Sequence, residues 1–172
     1  LKVDVASVER TIRDAVEGGI QGVFLAGTCG EGPWLPDRER SRLISTAVAA
    51  ADGKLEIAAQ VSDNSLPRIS DNIERAAEAG AHYAIVASPA TFMNATPDRI
   101  AALFTDAVAA SVLPVGIYDL GRHRPIAIPE DKLKAIYLLP KVRFVKDSSG
   151  SLARRAIALA ARAEKPTLRL FN

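Results

Sequence analysis

The sequence predicts an α/β fold in which a parallel sheet is covered by helices. Short β-branched runs alternate with Ala-rich segments of helical period along the whole chain, about one βα unit apart. The strand-like runs are almost continuously apolar, as expected for strands buried on both faces. The predicted strands are residues 22–26, 55–61, 83–87, 115–118, 142–146 and 168–171.

Helical segments lie between these strands. In the first of them, residues 8–18, the apolar positions recur at the spacing of one helix face. Glycines follow several segments as C-cap signals, and Pro97 and Pro129 are typical of a first helical turn. The predicted helices are residues 8–18, 38–51, 69–79, 97–110, 129–139 and 152–163.

Two architectures satisfy this alternation, a doubly wound open sheet and a closed TIM (β/α)8 barrel. The pattern by itself favours neither. A closed barrel needs eight strands, whereas about six are predicted here. Either the sheet is open, or the 172 residues form a single barrel domain, residues 1–172, that lacks one strand before Leu1 and another after Asn172.

Composition narrows the class of protein. Hydrophobic residues make up 48% of the chain and charged residues 24%, which is typical of a folded globular protein. The 22 basic and 20 acidic residues are interspersed, so nucleic-acid binding has little support. No apolar run is long enough for a membrane span. The single cysteine, Cys29, excludes an internal disulfide and suits a reducing compartment, so we expect a cytoplasmic protein. No metal-ligand spacing is visible.

In parallel α/β folds, functional residues gather at the carboxyl ends of strands. The first predicted strand is followed by a Gly-rich loop, residues 27–33, that contains Thr28, Cys29 and Gly30. Its backbone N–H groups, with a hydroxyl and a thiol, are suited to binding a carboxylate. A purely structural turn explains the glycines equally well.

The fifth predicted strand runs directly into Lys146. This lysine either emerges into solvent or is confined in the mouth of a barrel, where an apolar environment disfavours its charged form. A free amine can attack a ketone and form an imine, which then acts as an electron sink. The fourth strand ends at Tyr118, which is either a proton relay or an amphipathic residue at the rim of the core.

Three segments together resemble the dihydrodipicolinate synthase and N-acetylneuraminate lyase family of Schiff-base class I aldolases. Residues 27–31, Gly-Thr-Cys-Gly-Glu, resemble the family's Gly-[Thr/Ser]-Thr-Gly-Glu loop. Residues 115–119, Val-Gly-Ile-Tyr-Asp, resemble its strand ending in Tyr-Asn. Residues 145–150, Val-Lys-Asp-Ser-Ser-Gly, resemble its Schiff-base segment. The order and spacing agree over nearly the whole chain.

The resemblance implies a TIM barrel, present here as a partial barrel of about six βα units. It also implies a lyase, a pyruvate-dependent aldolase that makes or breaks a C–C bond of a 2-keto acid without a cofactor. By the resemblance, Lys146 forms the imine, Tyr118 relays protons, and Thr28, Cys29 and Gly30 hold the carboxylate. Family members commonly form homodimers or homotetramers, and we expect the same here.

Departures from the family pattern bear on the reaction. Cys29 replaces the second Thr of the loop, and Phe92 stands near the place of a tyrosine that the family's synthases carry. His123 occupies the place of their substrate-binding arginine, between Arg122 and Arg124. These changes argue against dihydrodipicolinate synthesis. Arg122 and its basic neighbours are candidates for binding an acidic or polyhydroxylated substrate tail.

Three alternatives stay open. The same lysine imine also serves dehydratases that act on sugar acids. The altered Cys29, Phe92 and His123 positions also suit a non-catalytic paralogue with a binding role. Finally, a chain that lacks two strands would expose sheet edges and aggregate.

Overall fold

A computed structural model describes residues 1–123 and 126–172. In this part of the chain, helices and strands alternate as predicted. They are α1 (Val5–Glu17), β1 (Gly22–Leu25), α2 (Asp37–Ala51), β2 (Glu56–Gln60), α3 (Leu66–Glu78), β3 (Tyr83–Ala87), α4 (Pro97–Ala110), β4 (Val115–Asp119), α5 (Glu130–Tyr137), β5 (Val142–Asp147), α6 (Leu152–Glu164) and β6 (Arg169–Phe171). Short 3-10 helices lie at Gly32–Trp34 and Gly121–His123.

The six predicted strands and six predicted helices are confirmed, with differences of a few residues at their ends. All six strands form one parallel sheet in the order β1-β2-β3-β4-β5-β6. Helix α1 precedes β1, and each of the five helices α2 to α6 connects two neighbouring strands, so every connection between strands is a βα unit of the type that the alternation predicted.

The sheet curls into a half-barrel. Neighbouring strands lie about 4.8 Å apart, so β2 and β6 would be separated by roughly 19 Å in a flat sheet. Instead, Arg169 at the start of β6 donates a hydrogen bond of 2.8 Å to Glu56 at the start of β2. The side chains meet because the sheet brings its two sides towards one another. The open doubly wound sheet is therefore excluded, and the predicted partial TIM barrel is confirmed.

Successive residues of each strand point to opposite faces of the curled sheet. On the convex face, side chains such as Ile57, Ile117 and Val145 are buried in the main core against the six helices. The concave face carries a second apolar cluster, which comprises Ala58, Ile85, Ala87, Tyr118 and Phe144. A residue of β4 or β5 therefore either faces the barrel interior or contacts the helix layer, depending on its position in this alternation.

One glycine makes room for the concave cluster. A Cβ atom on Gly116 would lie 2.2 Å from the Phe144 ring on the neighbouring strand, so the ring occupies the space that a side chain on β4 would need. The register between β4 and β5 also shifts at this point. The Phe144 ring thereby lies on the concave face two residues before Lys146.

None of the helices in residues 1–123 and 126–172 combines the length and the apolar character that a membrane-spanning helix requires.

Candidate active site

Lys146 lies on the concave face near the carboxyl end of β5, in register with Tyr118 of β4. The amine is half-buried, and its Nζ lies 4.0 Å from the centre of the Tyr118 ring. It also donates a hydrogen bond of 3.1 Å to the Ser148 hydroxyl. The structure thus brings together Lys146 and Tyr118, both predicted, with a serine that the sequence interpretation had not singled out.

Phe24 of β1 completes the aromatic surroundings of the amine. Its ring centre lies 5.7 Å from the Lys146 Nζ and 5.5 Å from the Tyr118 ring, which it meets edge-on. Alternation places Phe24 on one face of β1, but in an all-apolar strand the sequence does not tell which face is concave. Phe24 was missed for this reason.

The predicted carboxylate loop follows β1 and folds tightly on itself. The Gly27 carbonyl accepts hydrogen bonds from the N–H groups of Gly30, at 3.1 Å, and Gly32, at 3.2 Å. Ala26 and Glu31 adopt left-handed backbone conformations with φ of 55° and 54°, which is costly for residues with a side chain. Such strained positions are concentrated at functional sites.

This loop lies at the same end of the barrel as Lys146. A Cβ atom on Gly27 would lie 3.2 Å from the Phe24 ring, which itself faces the lysine. Thr28, Cys29 and Gly30 are exposed. The Gly30 N–H donates its hydrogen bond within this turn.

A cavity of about 270 Å³ occupies the barrel interior. Lys146, Phe24 and Phe144 contribute to its wall, and Glu56, Tyr83 and Arg169 line its far end. Most of the surface of this cavity is apolar. In the described part of the chain, no group of three or more His, Cys, Asp or Glu residues is arranged to hold a metal ion.

The basic residues after β4 are placed differently. Arg122 is exposed and lines a separate cavity with Glu130, Ser149 and Arg154. The structure therefore does not bring Arg122 into the cavity that contains Lys146, and its predicted contact with a substrate tail stays a prediction. His123 is exposed, and Arg124 lies outside the described residues.

A buried polar cluster lies directly behind the site, on the convex side of β4. The Asp119 carboxylate accepts two hydrogen bonds from the Arg154 guanidinium, at 2.8 and 2.9 Å, one from the Tyr137 hydroxyl at 3.0 Å and one from the Gly121 N–H at 2.9 Å. Burial and the neighbouring Asp119 carboxylate raise the pKa of the Tyr137 hydroxyl far above its ordinary value. Burial disfavours the charge on Arg154, but the contacts with Asp119 outweigh it and raise the guanidinium pKa. The sequence interpretation missed this cluster, because its members are separated by up to 35 residues.

Comparison with known proteins agrees with the fold. The curled parallel sheet with helices on its convex face defines a (β/α)-barrel protein. The model of the dihydrodipicolinate synthetase family matches residues 1–172, so the chain belongs to that family. The resemblance inferred from the three strand-end segments is thereby confirmed.

Two curated relatives illustrate the range of the family. The chain is 29% identical over 149 residues to a 4-hydroxy-tetrahydrodipicolinate synthase of Exiguobacterium sp., covering 87% of this chain and 50% of the relative. It is 37% identical over 118 residues to a Coccidioides immitis protein with the provisional name 4-hydroxy-2-oxoglutarate aldolase, mitochondrial, covering 68% of this chain and 38% of the relative. The chain spans about half the length of the curated synthases it matches.

Solved structures resemble the chain over nearly all of its length. A dihydrodipicolinate synthase family protein from Coccidioides immitis superposes with a TM-score of 0.85 at 30% identity, covering 98% of this chain and 54% of that protein. YagE, an E. coli K12 prophage protein of the same family solved in complex with pyruvate, gives a TM-score of 0.88 at 19% identity, covering 98% and 57%. The second likeness is evidence for the fold alone.

Proposed function

We propose that this chain contributes the imine-forming site of a pyruvate-dependent aldolase or lyase, with Lys146 as the nucleophile. The observation that carries this proposal is the position of the Lys146 amine, on the concave face and 4.0 Å from the centre of the Tyr118 ring. Membership of the dihydrodipicolinate synthetase family supports a lyase in general terms. The particular reaction is inferred from the residues.

Binding begins with the carboxylate of a 2-keto acid. In the proposal, the Thr28 hydroxyl and the Cys29 thiol hold this carboxylate at the end of β1, with the N–H of Gly30 contributing if the turn opens. A thiol is a weaker donor than a hydroxyl, so Thr28 supplies most of the side-chain contribution. The ketone carbon C2 then lies over the aromatic surface formed by Phe24 and Tyr118, within reach of the amine.

Imine formation follows. The Lys146 nitrogen attacks C2, the ketone oxygen takes a proton to give a carbinolamine, and the loss of water leaves a protonated imine. Tyr118 delivers and removes the protons in these steps, since its ring is packed against the amine. The Ser148 hydroxyl, hydrogen-bonded to Nζ, orients the amine before attack.

The imine then acts as an electron sink. For a 4-hydroxy-2-keto acid, the 4-hydroxyl proton is removed and the C3–C4 bond breaks, so that an aldehyde leaves and the bonding electrons form an enamine. Protonation of the enamine at C3 and hydrolysis of the imine release pyruvate and regenerate the free lysine. The reverse direction adds an aldehyde to the enamine.

The experiment that tests this proposal is borohydride trapping in the presence of pyruvate. Reduction should leave a pyruvate adduct on Lys146, which peptide mass spectrometry locates. The Lys146→Met variant should show no adduct, whereas the control Lys132→Met, which removes a partly exposed lysine of α5, should be labelled like the wild type. Absence of an adduct in the wild-type protein would reject the proposal.

A substrate panel would identify the reaction. The provisional name of the Coccidioides relative makes 4-hydroxy-2-oxoglutarate the first substrate to try, with pyruvate release as the readout. Sugar acids come next. Pyruvate release indicates C–C cleavage, whereas a product of unchanged carbon number indicates dehydration. Light scattering would test the expected homodimer or homotetramer.

A further inference from the structure

We propose that the buried ion pair between Asp119 and Arg154 positions the site, holding the Ser148 backbone, and through it the Lys146 amine, against the end of β4. Asp119 and Arg154 are positioning residues in this proposal, because neither contacts the reacting atoms. The inference rests on the proposed function for its catalytic consequence, but its structural part can be tested separately.

The Asp119 side chain points away from the barrel interior. Tyr118 faces the barrel interior, so the next residue along β4 points to the opposite face. There Asp119 is 2% exposed and meets Arg154, 5% exposed, in the first turn of α6. The residue beside the proposed proton relay is thus tied to the helix that follows the imine-forming strand.

Two hydrogen bonds connect Asp119 to the Lys146 amine through Ser148. The backbone carbonyl of Asp119 accepts a hydrogen bond of 2.8 Å from the Ser148 N–H, and the Ser148 hydroxyl accepts one of 3.1 Å from the Lys146 Nζ. The Asp119 side chain fixes the conformation of the residue whose carbonyl makes this contact. Movement of Asp119 would therefore displace Ser148 and alter the orientation of the amine.

The turn after β4 and the turn between β5 and α6 pack closely against each other. Gly121, with φ of 49°, lies so near the β5–α6 turn that an added Cβ atom would be 2.6 Å from the Ser149 Cβ. Ser149 in turn accepts a hydrogen bond from the Ser151 N–H, and Ser151 caps α6 by accepting one from the Arg154 N–H. The ion pair closes this circuit from Arg154 back to Asp119.

The burial of a charged pair, Asp119 and Arg154, requires a physical reason. Taking two charges out of water is costly, and apolar residues of similar volume often stabilise a core as well or better. A bidentate pair does, however, fix both distance and angle. The Asp119 carboxylate receives four hydrogen bonds on two oxygens, whereas an amide offers a single oxygen acceptor. The arrangement is therefore specific to a carboxylate, and it supplies orientation.

The test uses the double variant Asp119→Asn/Arg154→Gln. The single variant Asp119→Asn would leave the buried guanidinium with only the more distant Glu130 carboxylate, at 3.9 Å, as a counter-ion and would risk unfolding. The double variant removes both charges and keeps two polar side chains that can hydrogen-bond, so thermal unfolding should remain cooperative. The matched control is Asp63→Asn/Arg68→Gln, which removes the 2.8 Å ion pair that follows β2.

Two measurements test whether the ion pair positions Ser148 and the Lys146 amine. Amide hydrogen exchange at Ser148 should be at least about tenfold faster in the double variant, while exchange at the buried Val61 amide, which donates to Ile85, should stay unchanged. The rate of borohydride trapping at saturating pyruvate should fall about tenfold, with less than about a threefold change in the pyruvate concentration for half-maximal rate. The control double variant should match the wild type in both.

The outcomes separate this inference from the proposed function. Unchanged Ser148 exchange in the double variant would overturn the anchoring. Faster Ser148 exchange with an unchanged trapping rate would overturn the role of the ion pair in catalysis. The pair would then contribute only to the local structure around Ser148. If wild-type protein forms no pyruvate adduct, the proposed function fails, and the exchange measurement then decides the anchoring alone.

Discussion

At the level of single residues, the proposed chemistry depends on two side chains that share the concave face, Lys146 and Tyr118. They belong to neighbouring strands and are in register, so the backbone alone fixes their separation. Tyr118 is buried, with its ring against the amine, and Phe24 meets that ring edge-on and also lies beside the amine. The two aromatic rings and the Ser148 hydroxyl thus surround the amine at the position from which it would attack a ketone.

The substitution Tyr118→Phe separates the two contributions of this ring. It preserves the packing against Lys146 and Phe24 but removes the hydroxyl that would relay protons. We expect the rate of imine formation with pyruvate to fall about 10²- to 10⁴-fold, the range typical of a lost general acid–base group. Rapid-quench borohydride trapping measures this rate.

The free energy of unfolding should change little, because the aromatic contacts remain, and urea denaturation provides this control. A Tyr118→Phe variant that traps pyruvate as fast as the wild type would assign the proton transfers to another group. The Ser148 hydroxyl would then be the next candidate, since it already contacts the amine.

At the level of elements, the loop after β1 shows how close backbone approach shapes a candidate binding site. An added Cβ atom at Gly32 would lie 1.8 Å from the Ala26 carbonyl oxygen, a distance that no relaxation of a side chain can relieve. Ala26 itself adopts a left-handed backbone conformation, with φ of 55°. Gly32 thus allows the loop to fold back on itself so that Thr28 and Cys29 are presented at the surface.

The substitution Gly32→Ala should therefore disrupt this loop. We expect a loss of about 1–3 kcal/mol in the free energy of unfolding, as for other overpacked sites, together with weaker binding of pyruvate. Chemical denaturation measures the first, and the pyruvate dependence of trapping measures the second. The control for stability is Gly30→Ala, whose Cβ atom would find its nearest neighbour at an ordinary 3.6 Å. Equal effects of the two substitutions would contradict the steric argument.

The elements were predicted more fully than the site. Apolar periodicity identified all six strands and all six helices, because each depends on neighbours in sequence. Lys146, Tyr118 and the loop with Thr28 and Cys29 were predicted as site residues from their positions at strand ends and from the family resemblance, and their roles stay predictions. Asp119, Arg154 and Phe24 were missed, because their roles depend on which face of a strand they occupy and on partners far along the chain.

At the level of the whole molecule, the curvature of the sheet creates contacts across the barrel interior. Glu56 accepts hydrogen bonds from the Tyr83 hydroxyl, at 2.6 Å, and from Arg169, at 2.8 Å. The Arg169 guanidinium also lies 5.3 Å from the centre of the Tyr83 ring. Burial alone would raise the pKa of Glu56, but the hydrogen bonds from Tyr83 and Arg169 outweigh it and hold the pKa below its ordinary value of 4.5.

This network predicts a pH-dependent contribution to stability. Because the pKa of Glu56 is lower in the folded state, its stabilising effect is fully present above the ordinary value of 4.5 and is lost as the pH falls through the folded pKa. The wild type should exceed Glu56→Gln in the free energy of unfolding at pH 7 by no more than about 1 kcal/mol, since both partners are partly exposed and screened. Urea denaturation between pH 7 and pH 3 should show this difference shrinking towards zero.

Adding Arg169→Gln to the Glu56→Gln variant tests the coupling across the barrel. If the two side chains act through one another, the double variant should be scarcely less stable than either single variant at pH 7. A difference between wild type and Glu56→Gln that grows on acidification would show that the sign assigned to this network is wrong. Strictly additive effects would show that β2 and β6 are not coupled in solution.

The sequence by itself determined the alternating elements, the parallel sheet, the family resemblance and the candidate residues at the strand ends, because these follow from periodicity and local motifs. It left the choice between an open sheet and a barrel undecided until the resemblance was considered. Only the tertiary structure showed the curled sheet, the contact of Lys146 with Tyr118, and the ion pair behind β4 that joins Asp119 to Arg154. The physical reason is that strand alternation assigns residues to two faces, whereas the curvature and the packed helix layer decide which face is the interior and which distant side chains meet there.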